Sequence, residues 1–237
     1  ISSNINTDLR VLGLSATPVI NNLYEGRSLL ELICQEPIDD VEERIDLNSC
    51  MNLYQHFVVH GIRMNPGQLS RTNLVYQDID ATSLLPQIIW ATKKGTYHDI
   101  EQLLVQPKLK SLDRCLVREE KTVIFVTYIK NTLRPITNWL TQNHYTFSVY
   151  TGDEKEAQEE GFNDSLDEFI RGNTDVLVAS VQCAGTGVDG LQTVCNRAVF
   201  FQLPWTSTEF EQTIGRLDRD GTDFDHIDVY VPLTDVA

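Results

Sequence analysis

The sequence predicts an α/β protein whose second half is a doubly wound parallel sheet with crossover helices, preceded by a mostly helical connector. Three observations carry that expectation. After Pro107, short apolar runs of strand length alternate with amphipathic stretches of helix length, the pattern of parallel strands joined by helical crossovers. Before Pro107, strand-like runs are few and stretches with helical spacing dominate. With 237 residues, 41% of them hydrophobic and 22% charged, the chain is long enough and apolar enough to bury a core.

The elements follow in chain order. Arg10-Val11-Leu12-Gly13-Leu14 is a short apolar run stopped by Ser15-Ala16-Thr17-Pro18, which predicts a buried strand ending in a loop. Leu23, Leu29, Leu30, Leu32 and Ile33 fall at helical spacing between residues 21 and 35. Further helices are expected at residues 51–58, 81–92, 97–105 and 108–117. Strands are expected at residues 122–127, 145–150, 175–180, 197–203 and 227–231, with intervening helices at 129–142, 165–171 and 206–217. This organisation implies three parts, residues 1–20, 21–107 and 108–237.

Charge and cysteine usage exclude several classes. Nineteen basic against 34 acidic residues give a net charge of −15, which argues against a basic nucleic-acid coat or a polybasic membrane binder. The acids are concentrated. Residues 153–168 hold eight acids and one lysine, and residues 218–228 hold five acids and one arginine. Five widely spaced cysteines, an odd number with no close pairing, point away from a disulfide framework and towards a reducing intracellular compartment. No apolar run reaches the roughly 20 residues of a membrane span, so no membrane partner is expected. The absence of a starting methionine suggests a piece of a longer protein.

Three constellations could carry chemistry. His56 and His60 stand four apart, as in a metalloprotease helix, but Phe57 occupies the place of the general-base glutamate, so no metal site is expected. Gly185-Thr186-Gly187-Val188-Asp189-Gly190 fits the glycine pattern of a dinucleotide turn. Only residues 191–196 separate it from the next apolar run, too few for the crossover helix of such a fold. Arg216 and Arg219, three apart near the end of the helix expected at 206–217, are two guanidinium forks suited to phosphate, or else a salt-bridged surface.

Taken together, these segments resemble the motifs of superfamily 2 helicases. Leu14-Ser15-Ala16-Thr17-Pro18 resembles motif III, residues 122–128 motif IV, residues 175–192 motif V and residues 211–221 motif VI. The branch resembled is that of Swi/Snf-like DNA translocases, with Gln106-Pro107-Lys108-Leu109-Lys110 introducing the second lobe. Gln212, Gly215, Arg216, Arg219 and Gly221 fit the motif VI form of that branch.

The resemblance implies a RecA-like fold: residues 1–20 would end the first lobe, 21–107 would connect, and 108–237 would be the second lobe. It further implies arginine fingers at Arg216 and Arg219 and nucleotide contacts at Gly187, Asp189 and Gln212. Ser15 and Thr17 would couple the lobes. Thr127, Thr151, Gly152, Ser180 and Gln182 would touch the DNA backbone. ATP and Mg²⁺ would be the cofactors, with Mg²⁺ held mainly by a first lobe, and the partners would be double-stranded DNA, ATP and that N-terminal lobe. An intracellular site would follow, cytoplasm or nucleoid in a prokaryote and nucleus in a eukaryote.

Departures from the branch pattern are Val181, Gln182, Cys183 and Ala184 in motif V, Asp189 in place of asparagine, and Thr222 in place of glutamine. A lost lysine and a gained carboxylate weaken attraction for phosphate. The 237 residues also contain no Gly-x-x-x-x-Gly-Lys-Ser/Thr phosphate loop. This stretch alone is therefore expected neither to hydrolyse ATP nor to bind duplex tightly. The competing class is a non-catalytic helicase-like interaction module, and the retention of both arginines argues against it.

Overall fold

The computed structural model describes residues 10–14, 18–19, 22–42, 44–62, 70–152, 158, 161–162, 165–183 and 188–234. The chain divides into two compact units, Ile1–Gly67 and Gln68–Ala237.

In the first unit, helices α1 (Leu23–Cys34) and α2 (Leu47–His60) pack around Leu23, Leu30, Ile38, Val41 and Leu53. Each begins at a side-chain cap that satisfies an otherwise orphaned amide: Asn22 accepts from the Glu25 N–H and Asp46 from the Ser49 N–H. Residues 10–14 do not form the buried strand expected of them. They are irregular, with Leu12 82% and Leu14 88% exposed. A strand is held by ladder partners on its edges, and among the described residues of this unit there is no strand to supply one.

Among the described residues, the second unit holds six strands, β1 (Arg71–Ile79), β2 (Thr122–Val126), β3 (Phe147–Tyr150), β4 (Val176–Ser180), β5 (Arg197–Phe200) and β6 (His226–Thr234). Their order is β1-β6-β5-β2-β4-β3, and every pairing is parallel. Helices α3 (Leu85–Lys94), α4 (Tyr97–Leu109), α5 (Leu112–Cys115), α6 (Leu133–Gln142), α7 (Leu166–Ile170) and α8 (Ser207–Ile214) complete it.

Strand β2 is buried along its whole length, and alternation sends its side chains to opposite faces of the sheet. Ile124 and Val126 join Val178 and Val199 under Leu109, Leu133, Ile136 and Leu140 on one face. Val123 and Phe125 join Leu177, Ala198 and Phe200 under Phe169, Leu191 and Leu217 on the other. Helical cover on both faces gives the expected α/β class, a parallel sheet with crossover helices.

One element was not legible. Strand β1 lies within the stretch read as helical, and pairs with β6 in register from Arg71↔His226 to Ile79↔Thr234. It is an edge strand, largely exposed except at Ile79, so it lacks the continuous apolar run that marks the inner strands.

Candidate nucleotide and nucleic-acid site

Because all six strands run parallel, the segments that leave β2, β3, β4 and β5 emerge at the same edge of the sheet, the position at which open α/β sheets bind ligands. Every described DNA-contact candidate belongs to this edge. Thr127 follows β2, Thr151 and Gly152 follow β3, Ser180 ends β4 and Gln182 lies in the helical residues just beyond it.

Their exposure differs. Thr151 and Ser180 are buried, Gly152 and Gln182 are exposed, and Thr127 is half-buried. The Thr127 hydroxyl donates to the Leu203 carbonyl at 3.1 Å, and its N–H donates to Gln202 Oε1 at 3.1 Å. Gly152 has φ +74°, a left-handed conformation, and a Cβ there would stand 2.2 Å from Cys183 Sγ. The Cys183 thiol in turn donates to the Thr151 carbonyl.

Gln202 was missed in the sequence. Gln202 is buried two residues beyond β5; its Oε1 also accepts from the Tyr128 N–H at 2.9 Å, and its Nε2 donates to Thr132 Oγ1 at 3.2 Å. One side chain thereby ties both ends of the segment between β2 and α6. No sequence signal marks an amide whose partners lie 70 to 75 residues away.

Around Asp189 the structure brings together residues of two candidate segments. Arg219 Nη1 donates to Asp189 Oδ1 at 3.1 Å, and Gln192 Nε2 donates to the same oxygen at 3.1 Å. The Gly190 N–H donates to Gln192 Oε1 at 2.9 Å, fixing the amide that faces the carboxylate. The Gln192 hydrogen bond, then the Arg219 charge, the Gly190 N–H and the Arg216 charge hold the Asp189 carboxyl below its ordinary range. Segments expected as motifs V and VI thus meet in space, with two guanidinium groups acting on one carboxylate.

The arginines are not on a helix, contrary to expectation. Helix α8 opens with a capping box between Thr206 and Glu209 and closes at Ile214, with Gly215 as its C-cap. Beyond it the chain tightens: the Arg216 N–H donates to Thr213, and the Leu217 and Asp218 N–H groups both donate to Ile214. The tightening brings Leu217 to full burial and leaves Arg219 exposed beside Asp189. Gln212 is half-buried on α8 itself. Ser15, Thr17 and Gly187 lie outside the described residues.

A second contact to this turn was not anticipated. Ser70, just before β1, donates through both its N–H (2.8 Å) and its hydroxyl (2.6 Å) to Asp218 Oδ1, 148 residues away.

Among the described residues, no group of three or more His, Cys, Asp or Glu side chains is placed to hold a metal ion. His56 and His60 stack with ring centroids 6.0 Å apart, and His56 Nε2 is 2.8 Å from Asp40 Oδ1. Among the same residues no helix is long and apolar enough to cross a membrane.

The chain is 32% identical over 107 residues to the uncharacterized ATP-dependent helicase YqhH of Bacillus subtilis (strain 168). That stretch is 45% of this chain and 18% of the relative, so the chain spans less than a fifth of that protein's length. A solved structure of the C-terminal part of the Fun30 ATPase domain superposes with a TM-score of 0.46 at 13% identity, over 90% of this chain and 80% of that one. The Pyrococcus furiosus Hef helicase domain superposes with a TM-score of 0.38 at 22% identity, over 65% of this chain and 35% of that one. Residues 107–221, which include Asp189, Arg216 and Arg219, match the family described as the helicase conserved C-terminal domain.

Proposed function

We propose that this chain is the C-terminal half of an ATP-dependent DNA translocase or helicase of the Swi/Snf-like branch. Residues 1–20 end a first RecA-like lobe, 21–107 connect, and 108–237 form the second lobe. The observation that carries the reading is the convergence of Arg219 and Arg216 on Asp189, which joins the segments resembling motifs V and VI.

The donor set suits a nucleoside triphosphate. Two planar guanidinium groups are matched to phosphate oxygens, and a carboxylate held ionised is an acceptor for ribose hydroxyls. In this reading Arg216 and Arg219 neutralise charge that develops on the γ-phosphoryl group. Asp189 and Gly187 face the ribose, and Gln212 orients the helix behind the arginines. Thr127, Thr151, Gly152, Ser180 and Gln182 grip the phosphate backbone of double-stranded DNA without reading its sequence. Ser15 and Thr17 pass the nucleotide state between the lobes. ATP brings Mg²⁺, whose ligands come chiefly from the N-terminal RecA-like lobe.

The test is the ATPase of the full-length protein. Replacing both Arg216 and Arg219 with alanine is expected to lower DNA-stimulated turnover by about 10³-fold or more. Wild-type turnover in the double variant would overturn the reading. DNA-stimulated phosphate release by the 237-residue chain alone would overturn the division of labour between the lobes.

A further inference from the structure

The turn that carries Arg216 and Arg219 is anchored from a part of the chain that lies outside the helicase-domain match. Asp218, between the two arginines, receives two donors from one residue: the Ser70 N–H at 2.8 Å and the Ser70 hydroxyl at 2.6 Å, both on Oδ1. Ser70 is 5% exposed and Asp218 is half-buried, so both bonds are partly shielded from water. The adjacent Arg71 N–H donates to the Asp225 carbonyl at 3.1 Å, which ties the far end of the same segment to the start of β1. Leu217, fully buried, pins the turn from its other side.

A surface turn that must hold two long cationic side chains in one geometry loses conformational entropy, and a few local backbone bonds hold it weakly. A charge-assisted pair of hydrogen bonds from a buried donor supplies the missing rigidity. We infer that Ser70 and Asp218 are positioning residues for the arginine pair, aligning Arg216 and Arg219 for the nucleotide. The inference rests on the function proposed above and adds that β1 takes part in the hydrolytic site of the second lobe. Truncating Asp218 leaves the buried Ser70 donors without this acceptor, truncating Ser70 frees the half-buried carboxylate, and either change lets the turn drift while the arginines themselves remain.

The experiment uses the full-length protein and four single variants: Ser70→Ala, Ser70→Thr, Asp218→Ala and Asp218→Asn. Ser70→Ala and Asp218→Ala are expected to lower kcat for ATP by about tenfold or more, with KM within about twofold, since the arginines act on charge formed in the transition state. Ser70→Thr keeps the hydroxyl and Asp218→Asn keeps an accepting oxygen, so both are expected to recover most of the loss. In the Arg216→Ala/Arg219→Ala background, Ser70→Ala is expected to add nothing further, because its effect passes through the missing side chains. Unchanged kcat in Ser70→Ala, or a loss that adds fully on top of the double arginine variant, would overturn the assignment. Full activity of the double arginine variant would instead overturn the proposed function and this assignment with it.

Discussion

Arg219 and Asp189 are thirty residues apart in the chain and 3.1 Å apart in space, and the bond between them joins the two segments that the sequence marks for nucleotide chemistry. The carboxylate has a second donor in Gln192, so Asp189 is held in place by an amide while it faces a guanidinium.

In the proposed site, Asp189→Asn keeps the Gln192 geometry but replaces the ionised acceptor for the ribose hydroxyls with a neutral one. Affinity of the full-length protein for a fluorescent ATP analogue is expected to fall by about tenfold. Unchanged affinity would show that the carboxylate does not bind the ribose.

The same pair sets a pH dependence. The folded-state pKa of Asp189 lies below its unfolded value, so its contribution to stability is fully present above the ordinary carboxylate range and is lost as pH falls through the lowered value. Urea midpoints of wild type and Asp189→Asn are therefore expected to differ at neutral pH and to converge in acid.

Leu217 is fully buried between the two arginines of the turn, in the cluster with Phe125, Leu177 and Phe200. Leu217→Ala is expected to cost about 2–5 kcal/mol in urea denaturation. Thr206→Ala, which removes the capping box of α8, is expected to cost about 1 kcal/mol.

Gly152→Ala places a methyl group against Cys183 Sγ and forces alanine into a left-handed conformation. The backbone alone costs about 1–2 kcal/mol. Adding Cys183→Ala removes the sulfur contact at 2.2 Å and leaves Cβ at 2.9 Å, so the double variant is expected to recover only part of the lost thermal stability.

Burial pushes the Cys115 thiol up to about 11 and the Cys195 thiol up to about 12, while the unfolded chain releases those protons near 9.0. A raised folded-state value means stability that is complete below the unfolded value and lost as pH rises beyond it. Urea midpoints are expected to fall above about pH 9. Neither thiol is expected to react with iodoacetamide until the chain unfolds, which mass mapping of alkylated peptides would check.

The sequence by itself determined the α/β class, because strands buried on both faces of a parallel sheet must be apolar throughout, and β2, β4 and β5 carry that mark. It also marked candidates for chemistry, since glycines and arginines at fixed spacing are readable one segment at a time. It misread residues 10–14, whose apolar character is not matched by a neighbouring strand in their own unit. It missed β1, because an edge strand needs only one ladder partner and keeps its polar side chains in water.

What only the tertiary structure decided is the set of contacts between distant segments. Asp189 with Arg219, Gln202 with the amides of Thr127 and Tyr128, and Ser70 with Asp218 are hydrogen bonds across 30, 75, 74 and 148 residues. A hydrogen bond needs its partners within about 3 Å in the right direction. That condition is set by the register of the parallel strands and the packing of their crossovers, and local residue spacing carries no record of it.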